Sequence, residues 1–118
     1  HARARAGGVS LSCCQRDLEA EALPAGPWDV IVWMLYLNRG LFAQLPAVLA
    51  TGGVLVFLHP TATNLERHPR PPRRFLLDDG ELATIVASMP GMEVMRHVEG
   101  WTDSGHHEAR LLARRASA

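Results

Sequence analysis

Two short segments that are apolar at every position constrain the fold of this chain most. They are residues 30–35 (VIVWML) and residues 54–58 (VLVFL). Both are shorter than an ordinary globular helix, and glycine, asparagine or proline lies close to their ends. Runs without a polar face are typical of parallel strands that are covered on both sides. We therefore expect two central strands of an α/β sheet.

The segment between these runs has the pattern of an amphipathic helix. Asn38 can cap its start, and Gly52 and Gly53 would end it by supplying a left-handed cap. Pro46 lies inside the pattern and is expected to kink or restart the helix. The apolar positions share one stripe, namely Leu41, Phe42, Leu45, Val48 and Leu49.

Residues 9–14 are predicted to form a short buried strand, and residues 15–27 a crossover that proline and glycine interrupt. This strand holds the only two cysteines, Cys13 and Cys14. A disulfide between neighbouring residues would be strained, so we interpret them as a reduced intracellular pair and expect a cytoplasmic protein.

The second half of the chain predicts a loop, a helix and a hairpin. Residues 61–74 are polar and rich in proline, which is typical of a long surface loop. Asp78 or Asp79 can cap a helix that Pro90 and Gly91 would end. Residues 92–98 alternate and residues 107–114 also resemble a strand, so the sheet should end in an antiparallel hairpin. The alternation places on one side Met92, Val94, Arg96 and Val98.

Composition narrows the function classes. The 118 residues carry no net charge, which argues against nucleic acid or an anionic membrane as a partner. No segment reaches the roughly 20 apolar residues of a membrane span. Residues 1–8 lack an initiator methionine and a signal peptide's apolar centre, so we interpret them as a truncated or flexible start of one partial domain.

Four local patterns, in this order, resemble the latter half of class I S-adenosylmethionine-dependent methyltransferases. The resemblance covers nearly the whole chain and is strongest to the small-molecule group that includes tellurite-methylating enzymes. It implies a Rossmann-like α/β sheet, mostly parallel with an antiparallel terminal hairpin. The patterns are RDL at residues 16–18, WDVIV at residues 28–32, LATGGVLV at residues 49–56 and FLLDDGEL at residues 75–82.

The resemblance also implies cofactor contacts. Asp17 matches the acidic residue that faces the adenine amino group of S-adenosylmethionine, and Leu18 would flank the ring. The alternative for Asp17 is a cap on the following turn. Trp33 and Met34 lie where the family contacts cofactor or substrate, although apolar side chains in such a run are more often core.

Two further residues are candidates for contact with the methyl acceptor. Tyr36 follows the first apolar run and its hydroxyl needs a polar partner. His59 follows the second run and can orient a substrate or act as a base, or it can be purely structural. Both would lie at the carboxyl ends of parallel strands, where ligands of α/β sheets bind. The catalytic residues are not predicted.

The chain departs from the family in its first part. The family's glycine-rich cofactor loop and the acidic residue for the ribose have no counterpart in this sequence. Residues 9–14 would then lack their usual neighbours. We expect this strand either to slide beside residues 30–35 or to leave an exposed edge that pairs with another chain, for example in a homodimer.

These observations predict methyl transfer from S-adenosylmethionine to a small molecule. The alternatives are a non-catalytic interaction module and another Rossmann-like enzyme, such as a nicotinamide-dependent one. We expect no metal at His106 and His107, because adjacent residues on a strand point to opposite faces. The arginine-rich segment at residues 67–74 is a solvated loop, a cover over the substrate or a contact for an anionic partner.

Overall fold

The computed structural model describes residues 2–116. These residues form six strands, two short α-helices and three 3-10 helices. The 3-10 helices cover Arg39–Gln44, Ala62–Glu66 and Arg73–Phe75. In chain order the other elements are β1 (Ala2–Ala6), β2 (Val9–Cys13), β3 (Trp28–Met34), α1 (Leu45–Val48), β4 (Leu49–Pro60), α2 (Glu81–Ala87), β5 (Met92–Trp101) and β6 (His107–Arg115).

The main sheet has four strands in the order β3-β4-β6-β5. Only β3 and β4 are parallel, whereas β6 pairs antiparallel with both β4 and β5. The expected α/β sheet and its terminal hairpin are confirmed. The expectation of a mostly parallel sheet is wrong, because a single crossover joins two of these strands and the hairpin contributes the others.

Helical segments cover one face of this sheet, which we call the inner face. Phe57 is fully buried there, packed against Trp33 with ring centroids 5.1 Å apart and against Phe42 at 5.5 Å. The opposite, outer face is bare: the side chains of Val30 and Val32 are about 60% exposed. The prediction that residues 30–35 form a central strand covered on both sides is therefore wrong, because β3 is an edge strand with one covered face.

Strand β2 pairs with β1 in a separate two-stranded antiparallel sheet. The predictions that this strand is buried and that it slides beside β3 are both wrong. The hairpin turns at Gly7 and Gly8, which both have positive φ, so residues 9–13 find their hydrogen-bond partners in a segment that we expected to be a flexible start. Cys13 and Cys14 are exposed free thiols.

The helix expected from Asn38 to Gly52 is much shorter than its apolar stripe. Asn38 does cap its start, since its Oδ1 accepts a hydrogen bond from the Gly40 N–H at 3.1 Å. A 3-10 helix follows and α1 adds a single turn, after which the chain is already extended at Leu49. The two glycines therefore lie within β4 and do not end a helix. Pro46 sits in the first turn of α1, where a missing N–H is tolerated.

A β-bulge changes the alternation predicted for residues 92–98. Val94 faces Ala113 and Arg96 faces Leu112, so Met95 is an extra residue in β5. Met92 and Val94 point toward the core, whereas Arg96 lies on the outer face. The prediction that all alternate residues share one side is thus wrong beyond the bulge, because one extra residue reverses the sides of the strand that follow it.

The last helix, α2, begins at Glu81, shortly after the two acids that were expected to cap it. Gly80, with φ of 73°, occupies the N-cap of α2, and neither Asp78 nor Asp79 caps it through its side chain. Instead the Asp78 N–H donates to Glu81 Oε1 at 2.9 Å, and Asp79 accepts a hydrogen bond from the Thr63 hydroxyl.

The α-helices within residues 2–116 are too short to span a bilayer.

Candidate functional site

A pocket opens at the carboxyl ends of β3 and β4, where the two parallel strands finish side by side. Its volume is about 290 Å³, and its lining includes Glu19, Tyr36, His59 and Phe75. The register of the two strands places Met34 beside Leu58, so the residues that follow each strand meet at the same edge of the sheet. The two predicted substrate residues, Tyr36 and His59, therefore line one pocket.

The backbone leaves β3 in a strained conformation. Leu35 has φ of 57°, a left-handed value that branched apolar residues rarely adopt, while its N–H still donates to the Leu58 carbonyl at 3.2 Å. This turn is held by Trp33, whose Nε1 donates to the Tyr36 carbonyl at 2.7 Å. Strain that the surroundings enforce is common at functional sites. Here it turns the Tyr36 side chain into the pocket.

Segment 17–21 closes one side of the pocket through polar contacts. The Tyr36 hydroxyl donates to Glu19 Oε1 at 3.0 Å and accepts from Asn38 Nδ2 at 3.3 Å. Asn38 Nδ2 also donates to the Leu18 carbonyl at 3.2 Å. The polar partner that the Tyr36 hydroxyl was expected to need is thus a carboxylate from a distant segment.

The loop after β4 closes the other side. The Leu77 N–H donates to the Pro60 carbonyl at 3.1 Å, and the Ala62 N–H donates back to the Leu77 carbonyl at 2.8 Å. These bonds bring Phe75 over the end of β4. The His59 ring meets it there, because His59 Nε2 lies 2.7 Å from the Phe75 carbonyl oxygen.

His59 is the chemically distinctive residue of the pocket. A carbonyl oxygen only accepts, so Nε2 carries the hydrogen of this bond, and in the neutral ring Nδ1 is a free base. Nδ1 is buried and has no hydrogen-bond partner within residues 2–116. Burial lowers the pKa of His59 below its usual value; the hydrogen bond to Phe75 opposes this and the charge of Arg39 adds to it. The ring is therefore neutral at pH 7.

A salt bridge behind the pocket joins the two segments that cover the inner face. Arg39 Nη2 donates to Glu81 Oε1 at 2.8 Å and to the Leu76 carbonyl at 3.0 Å. The pKa of Glu81 is lowered, chiefly because Arg39 donates hydrogen bonds to its carboxylate. This pair ties the start of the first 3-10 helix to the start of α2, and so it steadies the loop that carries Phe75.

The four residues predicted to contact the cofactor do not line this pocket. Asp17 caps a turn, with Oδ1 accepting from the Glu19 N–H at 3.0 Å, which is the alternative role considered for it. Leu18 is half-buried against the core. Trp33 is buried in the aromatic cluster, and Met34 is exposed on the outer face. Their contact with a cofactor stays a prediction.

Two pocket residues, Glu19 and Phe75, were missed from the sequence. Glu19 lies in a segment without periodicity, and Phe75 follows the arginine-rich loop. The one available signal was the need of the Tyr36 hydroxyl for a partner, and it did not identify which residue that partner is. Only the folding of both segments over the strand ends brings these side chains together.

The histidines near the β5–β6 turn make local contacts. His107 Nδ1 lies 2.6 Å from the Thr61 hydroxyl, and the His106 ring packs 5.2 Å from the His68 ring. Among the described residues, no three His, Cys, Asp or Glu side chains are grouped to hold a metal ion.

Three guanidinium groups of the arginine-rich loop contact side chains of the described residues. Arg67 stacks on Trp101 at 3.8 Å, Arg73 pairs with Asp78 at 2.9 Å, and Arg74 lies over Phe75 at 4.6 Å.

Comparison with known proteins supports the fold. No protein-family model matches the chain, and no curated protein matches it. Among solved structures it is similar to TehB from Haemophilus influenzae, with a TM-score of 0.62 and 18% identity over 86% of this chain. The likeness to a methyltransferase fold is confirmed.

Two further methyltransferase structures give the same result. A variant of the 16S rRNA (adenine(1408)-N(1))-methyltransferase from Catenulisporales acidiphilia superimposes with a TM-score of 0.58 and 18% identity over 81% of this chain. A SAM-dependent methyltransferase from Methanosarcina mazei gives 0.57 and 13% over 87%. The chain spans 40% of the length of TehB, 55% of the rRNA enzyme and 66% of the third protein.

Proposed function

We propose that this chain forms the methyl-acceptor side of an S-adenosylmethionine-dependent methyltransferase that acts on a small molecule. The observation that carries the proposal is His59, a buried neutral base whose Nδ1 is unpaired at the pocket beyond two parallel strands. A buried polar atom without a partner costs about 1–3 kcal/mol, so its retention calls for an explanation. A ligand group that donates to Nδ1 supplies one.

The pocket suits a small nucleophile. Its volume of about 290 Å³ is at the lower end of ligand sites, and Leu35, Pro71 and Phe75 give it an apolar lining. A hydroxyl, amine or thiol bound there can donate its hydrogen to His59 Nδ1. Since Nδ1 is shielded from solvent, a ligand reaches it after a small movement of the wall, for which the 47% exposed Phe75 ring has room.

The Phe75 carbonyl orients the base, His59, and the Glu19 carboxylate can orient the methyl acceptor. The Phe75 carbonyl holds the Nε2 hydrogen of His59, which keeps Nδ1 deprotonated and directs the ring. The Tyr36 hydroxyl donates to Glu19, which leaves a carboxylate acceptor at the rim for a second polar group of the ligand. When an acceptor loses its proton during methylation, that proton goes to His59 Nδ1.

S-adenosylmethionine would supply an activated methyl group. The described residues do not hold the whole cofactor. The volume of the pocket is at the lower end of the range for a site that binds one small molecule, so the pocket does not have room for a methyl acceptor and a nucleoside together. Asp17 lies outside the pocket and uses Oδ1 within its own turn. We therefore assign to this chain the acceptor and the proton, and not the main contacts to the cofactor.

The acceptor pocket is tested by titrating phenol into the chain and following the imidazole and tyrosine NMR signals. We expect shifts at His59 and Tyr36, a hydrogen on His59 Nε2, and weaker phenol binding as the pH falls through the lowered pKa of His59, because protonated Nδ1 cannot accept. The variant His59→Asn should lose phenol binding, whereas His106→Asn, at an exposed ring outside the pocket, should retain it. Equal binding by the two folded variants would contradict the proposal.

The cofactor class is tested separately by calorimetry. S-adenosylhomocysteine should bind weakly, in the millimolar range of about −4 kcal/mol, because the chain offers few contacts to it. NADH should give no heat. Tight NADH binding would replace the methyltransferase proposal by a nicotinamide-dependent enzyme.

A second candidate function is a non-catalytic interaction module. It is favoured by β3, an edge strand that pairs on one side only within the described sheet. Such an edge can pair with a second copy and form a homodimer. A stable dimer in light scattering, together with no binding of phenol or S-adenosylhomocysteine, would support this candidate over the first.

A further inference from the structure

The carbonyl that holds the His59 ring belongs to a short segment whose backbone is tied at several points. Phe75 ends the third 3-10 helix, and the two residues after it, Leu76 and Leu77, have buried side chains. The Phe75 carbonyl accepts from the His59 ring at 2.7 Å. The next carbonyl, that of Leu76, accepts from Arg39 Nη2 at 3.0 Å. The segment therefore lies between the end of β4 and the arginine that begins the first 3-10 helix.

Two adjacent peptide planes of this segment are each held at both ends. In the first plane, the Phe75 carbonyl meets His59, and the Leu76 N–H donates to a carbonyl of the third 3-10 helix at 3.0 Å. In the second plane, the Leu76 carbonyl accepts from Arg39, and the following N–H donates to a carbonyl at the end of β4 at 3.1 Å. A peptide unit is planar, so a bond at each end fixes its orientation. Only the φ and ψ of Leu76 separate the plane that Arg39 holds from the plane that holds His59.

Arg39 is itself held in place by Glu81. Its Nε and Nη2 donate to the two carboxylate oxygens of Glu81, and such a bidentate pair fixes the plane of a guanidinium. Glu81 is the first residue of α2, and its Oε1 also accepts from the Asp78 N–H at 2.9 Å. The guanidinium is thus a rigid link between the start of α2 and the Leu76 carbonyl.

Loss of this link would free one end of the peptide plane next to His59. The plane could then turn about its remaining hydrogen bond to the end of β4, and this turn would change the φ and ψ of Leu76. Those two angles set the direction of the Phe75 carbonyl relative to the rest of the segment. A hydrogen bond weakens steeply as its angle is lost, so the Nε2 hydrogen of His59 would be held less firmly.

We propose that Arg39 is a positioning residue for the base His59, because it fixes the peptide plane next to the carbonyl that holds the His59 ring. Arg39 is not among the residues that line the pocket, so it acts through the segment and not on the methyl acceptor. Its positive charge acts in the same direction, since it contributes to the lowered pKa of His59 and so favours the neutral ring. This inference rests on the proposed function, because it assigns a role in the same site.

The test is imidazole NMR of the ligand-free chain at a pH where the His59 ring is neutral. The original protein should carry the hydrogen on Nε2 alone. In Arg39→Gln we expect a mixture of the two tautomers, and exchange of the Nε2 hydrogen with water about tenfold faster relative to the amides of β6, which report on global unfolding. Phenol affinity should fall in parallel, because Nδ1 is then partly protonated.

The matched control is Arg73→Gln. It removes an arginine from the helix that leads into the same segment, and the side chain lost is 70% exposed and paired with Asp78. Only the backbone of Arg73 bonds to Leu76, so the tautomer of His59 and the exchange of its hydrogen should stay as in the original protein. If Arg39→Gln does not fold, Arg39→Lys takes its place. The same changes are expected there, because one ammonium replaces the two nitrogens that Arg39 uses.

Three results would overturn the inference. They are an unchanged tautomer and exchange rate in the Arg39 variant, the same change from Arg73→Gln, and a changed tautomer with unchanged phenol affinity. Failure of the proposed function looks different. If the original protein never binds phenol, the acceptor pocket is refuted, whereas the tautomer of the ligand-free ring still decides whether Arg39 positions His59.

Discussion

Gly53 lies where β4 passes the start of β3, and we expect it to tolerate no side chain. A methyl group there would stand 2.7 Å from the carbonyl oxygen of Ala50 and 2.8 Å from that of Trp28. Both obstacles are backbone atoms, so relief requires a shift of one strand against the other. That shift would disturb the register that brings Tyr36 and His59 to the same pocket.

The expected loss for Gly53→Ala is about 2–3 kcal/mol in the free energy of unfolding, a typical cost of overpacking that the backbone must absorb. With about 2.1 cal/mol/K of unfolding entropy per residue, 118 residues convert this to a Tm lower by about 8–12 °C. Thermal and urea unfolding followed by circular dichroism measure both quantities.

Gly100 is the matched control for this substitution. It also lies inside a strand, and a methyl group there would meet no heavy atom within 4 Å. Gly100→Ala should therefore stay within about 0.5 kcal/mol of the original protein. Equal stability of the two variants would show that the close approach at Gly53 does not restrict the fold.

Two further predictions concern the core and the salt bridge. Phe57→Ala should lower the free energy of unfolding by about 3–5 kcal/mol in urea unfolding, because it leaves a cavity between Trp33 and Phe42. Glu81→Gln should lower the free energy of unfolding by about 1–2 kcal/mol at pH 7. This is less than the loss expected for a fully buried ion pair, because the Arg39 side chain is 43% exposed and solvent screens its charge. Folding lowers the pKa of Glu81, so its ionised carboxylate stabilises the protein above about pH 4.5. This stabilisation is lost as the pH falls through the pKa of the folded state. The variant should therefore lose less stability on acidification than the original protein. An unchanged pH profile in the variant would contradict this assignment.

Local patterns in the sequence predicted most of the strands. Residues 54–58 form the middle of β4, residues 30–34 lie in β3, and the terminal hairpin is present. These predictions succeeded because a short apolar run must be shielded from water, and a strand within a sheet is one of the few structures that shield a segment of this length. The predictions that failed needed information from distant residues. The bulge at Met95 and the end of the helix at Val48 depend on how neighbouring strands pair, and no local pattern records that.

The sequence by itself determined that Tyr36 and His59 follow two parallel strands, and therefore that both approach the same edge of a sheet. The tertiary structure decided what surrounds them. Glu19 comes from a segment 17 residues before Tyr36, and the Phe75 carbonyl comes from a loop 16 residues after His59. The uncovered outer face was equally invisible, because an apolar run has the same pattern whether one face or both are covered. The type of each side chain is a property of the sequence, whereas its burial and hydrogen-bond partners are properties of the folded molecule. Burial and the hydrogen bond to Phe75 are what make the histidine that follows a strand an unpaired buried base.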